Sequence, residues 1–133
     1  MPQVKSAAWL SIEGGWASPS CNSTTDALEL YKESGGVWSS EVIDDQSGAP
    51  DRCRMAVDGN DLMIVDRILS RAAWQQYFYD GETMTWDIQP IFQPQGVFSQ
   101  RMDVAALGGS FFVLYDDQLL DEVHCAEMVP PAS

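Results

Sequence analysis

Short segments in which apolar and polar residues alternate recur along most of the chain. The alternation is strictest at residues 83–88, where the apolar positions are Met84, Trp86 and Ile88 and the polar positions are Thr83, Thr85 and Asp87. A period of two residues is typical of a β-strand with one buried and one solvated face. We therefore predict that Met84, Trp86 and Ile88 face the core.

Turn signals separate these segments. Asp58-Gly59-Asn60-Asp61 stands between the apolar residues 55–57 and 62–65, and Asp80-Gly81 stands between residues 74–79 and 82–88. Glycine and asparagine adopt the positive φ angles that tight hairpins require. The sequence therefore predicts two antiparallel hairpins.

Two further segments fit either a helix or a strand. Asp26 could cap a helix over residues 26–33, but Leu28 and Leu30 also alternate as in a strand. We interpret this segment as the first arm of a hairpin that turns at residues 34–36. Residues 118–128 fit a helical stripe and a final strand equally well, and that choice stays open.

The turn spacing predicts the fold class. Eight or nine short strands with no reliable long helix indicate one all-β domain over residues 1–133, and we favour a small antiparallel β-barrel over a sandwich. Residues 1–8 and 129–133 are expected to be a loose N-terminal arm and a loose C-terminal tail. A chain of 133 residues is long enough to bury a core without a staple.

The segment Gly14-Gly15-Trp16, with Cys21 soon after and a meander of hairpins behind it, resembles the start of calycin-type, lipocalin-like barrels. This resemblance implies a barrel in which the ring of Trp16 plugs one end and serves structure. It also implies an interior that can hold a small apolar ligand. Arg101 is the nearest candidate for the basic residue that stacks on such a tryptophan.

The net charge of the chain disfavours some classes of binding partner and favours others. The chain has 20 acidic and 7 basic residues, with a formal net charge of −13. Nucleic acid and anionic membranes require clustered lysine and arginine, so neither is expected as a partner. Four of the basic residues fall in one third of the chain, and they form either an anion-binding patch or local ion pairs with neighbouring aspartates: Arg52, Arg54, Arg67 and Arg71.

No motif in the sequence names a reaction. His124 and Cys125 are adjacent, so on a strand they would point to opposite faces and could not act as a catalytic pair. Residues 58–61 are better explained as a turn than as a cation site, and Glu122 with His124 and Cys125 could bind zinc only with ligands from elsewhere. We predict no catalytic residue, metal or cofactor, and an enzyme is the least supported class.

The three cysteines, Cys21, Cys53 and Cys125, allow one disulfide. Cys21 and Cys53 lie in polar, turn-like surroundings, and we slightly favour a bridge between them over three reduced thiols. That preference goes with an exported protein whose signal peptide has been trimmed, although the chain as written has no signal-peptide pattern. No apolar run is long enough to predict a membrane span.

Two functions follow as hypotheses. The first is a non-catalytic, lipocalin-like carrier of a small apolar ligand. The second is an acidic protein-binding module, an inhibitor or accessory subunit, that recognises a basic partner. The candidate contact residues are the large aromatic side chains of the middle of the chain together with the isolated arginine that follows them: Trp38, Trp74, Tyr77, Trp86 and Arg101.

Overall fold

The structure is a computed structural model that describes residues 10–12, 15–22, 24–46, 48, 50–68, 73–91, 102–117 and 121–128. Arg71, Arg101, the N-terminal arm and the C-terminal tail lie outside these ranges. The described residues form β1 (Leu10–Ile12), β2 (Gly15–Asn22), β3 (Ala27–Ser34), β4 (Val37–Asp44), β5 (Pro50–Asp58), β6 (Asp61–Ile68), β7 (Ala73–Asp80), β8 (Thr85–Ile91), β9 (Met102–Leu107), β10 (Ser110–Asp117) and β11 (Glu122–Met128).

The strands form three antiparallel sheets in chain order. Sheet A contains β1 to β4, sheet B contains β5 to β8, and sheet C contains β9 to β11. Each strand pairs with the strands next to it in sequence, so every sheet is a meander. None of the three sheets closes on itself within the described residues. The fold is all-β, and the predicted single closed barrel is not found.

Sheet B lies between the other two. One core cluster joins sheets A and B through residues such as Leu30, Met55 and Ile64. A second cluster joins sheets B and C through residues such as Val65 and Phe111. Because both faces of sheet B are covered, its strand β6 is apolar at consecutive positions and buried along almost its whole length.

The predicted hairpins are present. Asp58 pairs with Asp61, which leaves Gly59 and Asn60 as a two-residue turn, and Gly59 has a positive φ of 62°. The segment at 26–33 is strand β3, paired with β4. At 118–128, the described residues from 122 onward form strand β11 and not a helix.

Strand β2 is one element that the sequence prediction missed. Pro19 makes this segment look unlike a strand, because proline lacks the N–H that a central strand donates. In the structure Pro19 lies opposite Leu30 of β3, beyond the last described pair of β2 with β1, which joins Ala17 to Leu10. The segment is therefore a strand through its pairing with β3.

The predicted burial of the apolar residues at 83–88 is wrong for two of the three, although Trp86 and Ile88 share one face of β8 as predicted. Met84 lies in the turn before the strand, with a φ of 59° and 71% exposure, and its N–H donates to the Asp80 carbonyl over 2.8 Å. The turn therefore takes up Met84, and the strand begins at Thr85. Trp86 does pack against the core between sheets A and B, whereas Ile88 is 42% exposed because β8 is an edge strand.

Candidate functional site

Sheet A has one face that is exposed along β4 but buried at Ser18 and Ser20 of β2. Ala17, Leu28 and Leu30 belong to the core between sheets A and B, so their neighbours along each strand point the other way. We call that side the outer face of sheet A; across β2, β3 and β4 it carries Trp16, Ser18, Ser20, Glu29, Tyr31, Glu33, Trp38, Ser40 and Val42.

Strand register places two tryptophans on either side of a glutamate on this face. Glu33 of β3 pairs with Trp16 of β2 and with Trp38 of β4, so the three residues form one row across the sheet. Trp16 is 51% exposed and Trp38 is 63% exposed. We refer to these three residues as the Trp–Glu–Trp row. It presents two large rings and a carboxylate to solvent.

Hydrogen bonds position the acidic groups of the outer face. Oε1 of Glu33 accepts a hydrogen bond of 2.7 Å from the N–H of Gly36, which fixes the carboxylate against the hairpin turn. Two residues away on the same face, the hydroxyl of Tyr31 donates to Oε2 of Glu29 over 3.3 Å. Desolvation by burial raises the pKa of Tyr31, and the negative charge of Glu29 and this hydrogen bond raise it further. Tyr31 is therefore a neutral donor at neutral pH.

The expectation that Trp16 is buried as a barrel plug is wrong. In strand β2 the completely buried Ala17 faces the core, so Trp16, its neighbour in the strand, points away from it. The described sheets also form no closed end for a ring to cover. Trp16 instead belongs to the exposed surface of sheet A.

The predicted contact residues do not come together. Trp38 is exposed on sheet A, whereas Trp74 and Tyr77 are almost completely buried on opposite faces of β7. The Tyr77 hydroxyl donates to Oδ2 of Asp44 over 2.8 Å and accepts from Nε2 of Gln75 over 3.2 Å, so its polar end is satisfied inside the protein. Tyr77 and Trp74 therefore serve packing.

The other two predicted contact residues do not join Trp38 either. The ring of Trp86 packs against that of Tyr79, with centroids 5.1 Å apart, at the margin of the core. Arg101 lies outside the described residues, so neither its contact with Trp16 nor a ligand contact can be described.

A second candidate site is a pocket of about 480 Å³ between β5 and sheet C. Arg52 and Arg54 line it from β5, where residues two apart share one side of the strand. The remaining lining residues belong to β9, β10 and β11: Met102, Asp103, Leu114, Tyr115, Asp116 and Val123. Of the four clustered arginines, Arg67 is buried, so the cluster is divided between the pocket and the interior.

The cysteines occupy different surroundings. Cys21 of β2 and Cys53 of β5 are disulfide-bonded and completely buried, which links sheet A to sheet B. Cys125 is reduced and exposed on β11. His124 stacks on Tyr115 with ring centroids 5.3 Å apart, and its Nε2 lies 3.5 Å from Oε2 of Glu122. Its partners are thus an aromatic ring and a carboxylate.

The described ranges contain no metal-ligand cluster and no membrane-spanning helix. No three side chains of histidine, cysteine, aspartate or glutamate come together there in a way that could hold a metal ion. No helix there is long and apolar enough to cross a membrane.

Comparisons with known proteins give little further information. No protein-family model matches the chain, and no curated protein matches it. Among solved structures, it is similar to Trypanosoma rangeli sialidase in complex with 2,3-difluorosialic acid as a covalent intermediate, with a TM-score of 0.43 and 13% sequence identity. The similarity covers 92% of this chain and 30% of the sialidase chain, so the chain spans less than a third of that protein's length. A similarity at this level does not establish a shared activity.

Sequence reasoning missed most of the residues of the outer face. Glu29, Tyr31 and Glu33 occupy every second position of β3, and this spacing could have identified them as one face of a strand. Trp16 and Trp38 lie beside Glu33 because β3 pairs with β2 and β4 in a particular register. The sequence contains no local signal for that register. The pocket likewise combines strands that are about fifty residues apart in sequence.

Proposed function

We propose that this protein is a non-catalytic binding module that uses the outer face of sheet A to recognise a basic protein partner. The Trp–Glu–Trp row is the observation that carries this proposal. Tryptophan is enriched among the residues that dominate binding energy at protein interfaces, and indole faces attract lysine and arginine side chains. A carboxylate between two indoles adds a charge that such a side chain can pair with.

The spacing of the row suits a cationic side chain. Neighbouring strands lie about 4.8 Å apart, so the backbones at Trp16 and Trp38 are separated by roughly twice that distance. A guanidinium or ammonium group can therefore approach Glu33 with an indole ring on each side. Glu29 on the same face and the net charge of −13 favour a basic partner over an acidic one.

The lipocalin-like carrier, the other hypothesis from the sequence, depends on a closed barrel with an interior cavity. The described strands form three stacked sheets, none of which closes into a barrel, and large side chains such as Trp74 and Tyr77 are buried in the two cores between them. The binding-module hypothesis needs no closed barrel, which is why it is the one proposed.

The test is affinity capture of proteins from the source organism, repeated with matched variants. Trp38→Ala and Glu33→Gln should each weaken binding of the captured partner by about tenfold or more, because truncation of a central interface aromatic typically costs about 2 kcal/mol. Binding should also weaken as salt is increased. Leu107→Ala is the control, since Leu107 is another exposed apolar residue and lies on sheet C.

Three results would contradict the proposal. One is a captured partner that binds Trp38→Ala and wild type alike. Another is a partner with an acidic binding surface. The third is loss of binding in Leu107→Ala together with retention in both sheet A variants.

A further inference from the structure

Three aromatic side chains flank one carboxylate at the hairpin end of the outer face of sheet A. Trp16 and Trp38 are the direct cross-strand partners of Glu33, and Tyr31 stands two residues before Glu33 on the same face. The Cβ atoms of directly opposed residues lie about 4.5–5.5 Å apart, so both indoles border the space above Glu33. Both tryptophans and the turn at 34–37 are exposed. The group is therefore open to a ligand from solvent.

The carboxylate of Glu33 is held through one of its two oxygens. Oε1 accepts the hydrogen bond of 2.7 Å from the N–H of Gly36, and within the described residues Oε2 makes no hydrogen bond or ion pair. The side chain is thereby directed towards the turn. A guanidinium binds a carboxylate best through both oxygens, so the engagement of Oε1 disfavours an arginine. A cation that needs the negative charge and no second acceptor is better suited to this position.

The separation of the two indoles matches a methylated ammonium group. Side chains stand roughly perpendicular to a sheet, so the rings of Trp16 and Trp38 are about 10 Å apart, twice the spacing of neighbouring strands. A flat guanidinium in van der Waals contact with two rings needs them about 7–8 Å apart. Methyl groups on either side of a nitrogen add about 2.5 Å to this requirement. A trimethylammonium group therefore contacts both rings, whereas a guanidinium or a bare ammonium contacts one.

We propose that the Trp–Glu–Trp row binds the trimethylammonium end of a methylated lysine on the basic partner, an inference that rests on the function proposed above. The two indoles contact the methyl groups, and Glu33 supplies the negative charge. Tyr31, whose hydroxyl donates to Glu29, borders the site on the side away from the turn. Aromatic rings attract quaternary ammonium groups through the negative potential of their faces.

The openness of this surface favours a protein side chain over a free small molecule. Small-molecule sites are concave and bury most of the ligand, whereas Trp16, Trp38 and the turn at Gly35-Gly36 lie on an open part of the sheet. A free choline-like cation would leave most of its surface in water there. A methylated lysine belongs to a larger molecule, whose basic surface also meets the other acidic residue of this face, Glu29.

Four peptides that differ in one side chain test the chemistry. They are acetyl-Arg-Gly-Lys-Gly-Arg-amide with unmodified, dimethylated or trimethylated lysine, and a neutral analogue in which carbon replaces the trimethylated nitrogen. Binding is followed by NMR shifts of the indole N–H signals of Trp16 and Trp38. The trimethylated peptide should bind at least about tenfold more tightly than the unmodified peptide, the neutral analogue and free choline, with the dimethylated peptide in between.

Substitutions separate the contributions of the rings and of the charge. Trp38→Ala should weaken the trimethylated peptide about tenfold and abolish its advantage over the unmodified one, because a single ring remains. Glu33→Gln keeps an acceptor for the turn, and it should weaken the charged peptides while leaving the neutral analogue unchanged. Glu29→Gln removes a charge outside the row and Leu107→Ala an apolar side chain on sheet C, so both should keep the wild-type preference. Thermal melting of each variant confirms that it is folded.

The inference is overturned if the unmodified peptide or the neutral analogue binds as tightly as the trimethylated peptide. Free choline that binds as tightly as the trimethylated peptide would overturn the assignment to lysine. If capture from the source organism yields a basic partner that depends on Trp38 and Glu33 but carries no methylated lysine by mass spectrometry, the proposed function stands and only this inference fails. If that partner binds the row variants and wild type alike, both fail.

Discussion

At the scale of single residues, the environment of a side chain depends on which face of which sheet it occupies. Trp16 and Ala17 are neighbours in β2, yet one is half exposed and the other is fully buried. Trp38 and Trp74 differ for a second reason, because β4 of sheet A is exposed on the face that carries Trp38, whereas sheet B is covered on both faces. The sequence predicts the alternation, but the number of covered faces is a tertiary property.

The two tryptophans should respond very differently to truncation. Trp74→Ala leaves a large cavity and should lower the free energy of unfolding by about 3–5 kcal/mol. Trp38→Ala removes a mainly exposed ring and should change it by about 0.5 kcal/mol or less. Urea unfolding of both variants measures the difference. An equally large loss in Trp38→Ala would mean that its ring supports the fold and would weaken the binding proposal.

Tyr31 should titrate above its ordinary pKa of 10.0 in the folded protein. Because the folded pKa exceeds the unfolded one, the protonated phenol stabilises the fold below pH 10, and this contribution is lost as pH rises through the folded pKa. The difference in tyrosinate absorbance between wild type and Tyr31→Phe, measured against pH, gives the midpoint of the Tyr31 titration. Glu29→Gln should move that midpoint down towards 10, and a wild-type midpoint at or below 10 would contradict the assignment.

At the scale of elements, hairpins whose turns have local chemical signals could be predicted. Gly59-Asn60 identifies the β5–β6 hairpin, and Gly35-Gly36 identifies the β3–β4 hairpin. Strand β2 could not be predicted, because Pro19 argues against a strand and only the pairing with β3 shows that the segment is one. The start of β8 was misplaced since a longer turn includes Met84. In both cases the deciding interactions come from a neighbouring strand.

Gly15 illustrates a backbone constraint at the start of β2. A Cβ atom at this position would overlap the backbone carbonyl of Glu33 on β3. Gly15→Ala should therefore push the two strands apart, lower the free energy of unfolding by about 1–3 kcal/mol and shift the NMR resonances of Trp16 and Glu33. Because it displaces part of the Trp–Glu–Trp row, it should also weaken partner binding.

Gly108→Ala provides the comparison for Gly15→Ala. Gly108 has a φ of 61° in open space, so alanine there adds only left-handed backbone strain of about 1–2 kcal/mol and should leave the row unchanged. Wild-type resonances at Glu33 in Gly15→Ala would show that the predicted overlap is absent.

At the scale of the whole molecule, the sheets are stacked and not joined edge to edge. The first strand of sheet B, β5, contacts β2 of sheet A and β9 of sheet C, while β4 and β5 belong to different sheets. Apolar and polar residues alternate along a strand in the same way in a closed barrel and in a stack of sheets. The sequence could therefore predict an all-β fold but not how the sheets are arranged.

The disulfide between Cys21 and Cys53 links two of these layers and should stabilise the whole molecule. It joins residues 32 positions apart, and closing a loop of that length in the unfolded chain contributes about 3–4 kcal/mol. Reduction, or the double substitution Cys21→Ala/Cys53→Ala, should lower the unfolding midpoint accordingly. Cys125→Ser should leave it unchanged, because that thiol is exposed on β11.

Thiol titration of the unfolded, unreduced protein tests the pairing independently of stability. One reactive thiol, lost in Cys125→Ser, is the expected result. Disulfides persist in oxidising compartments, so this outcome in protein from its native source would also support export. Three reactive thiols would contradict the disulfide, and with it the main reason for expecting an exported protein. In that case sheets A and B would be held together by their apolar core and by the hydrogen bond from Tyr77 to Asp44.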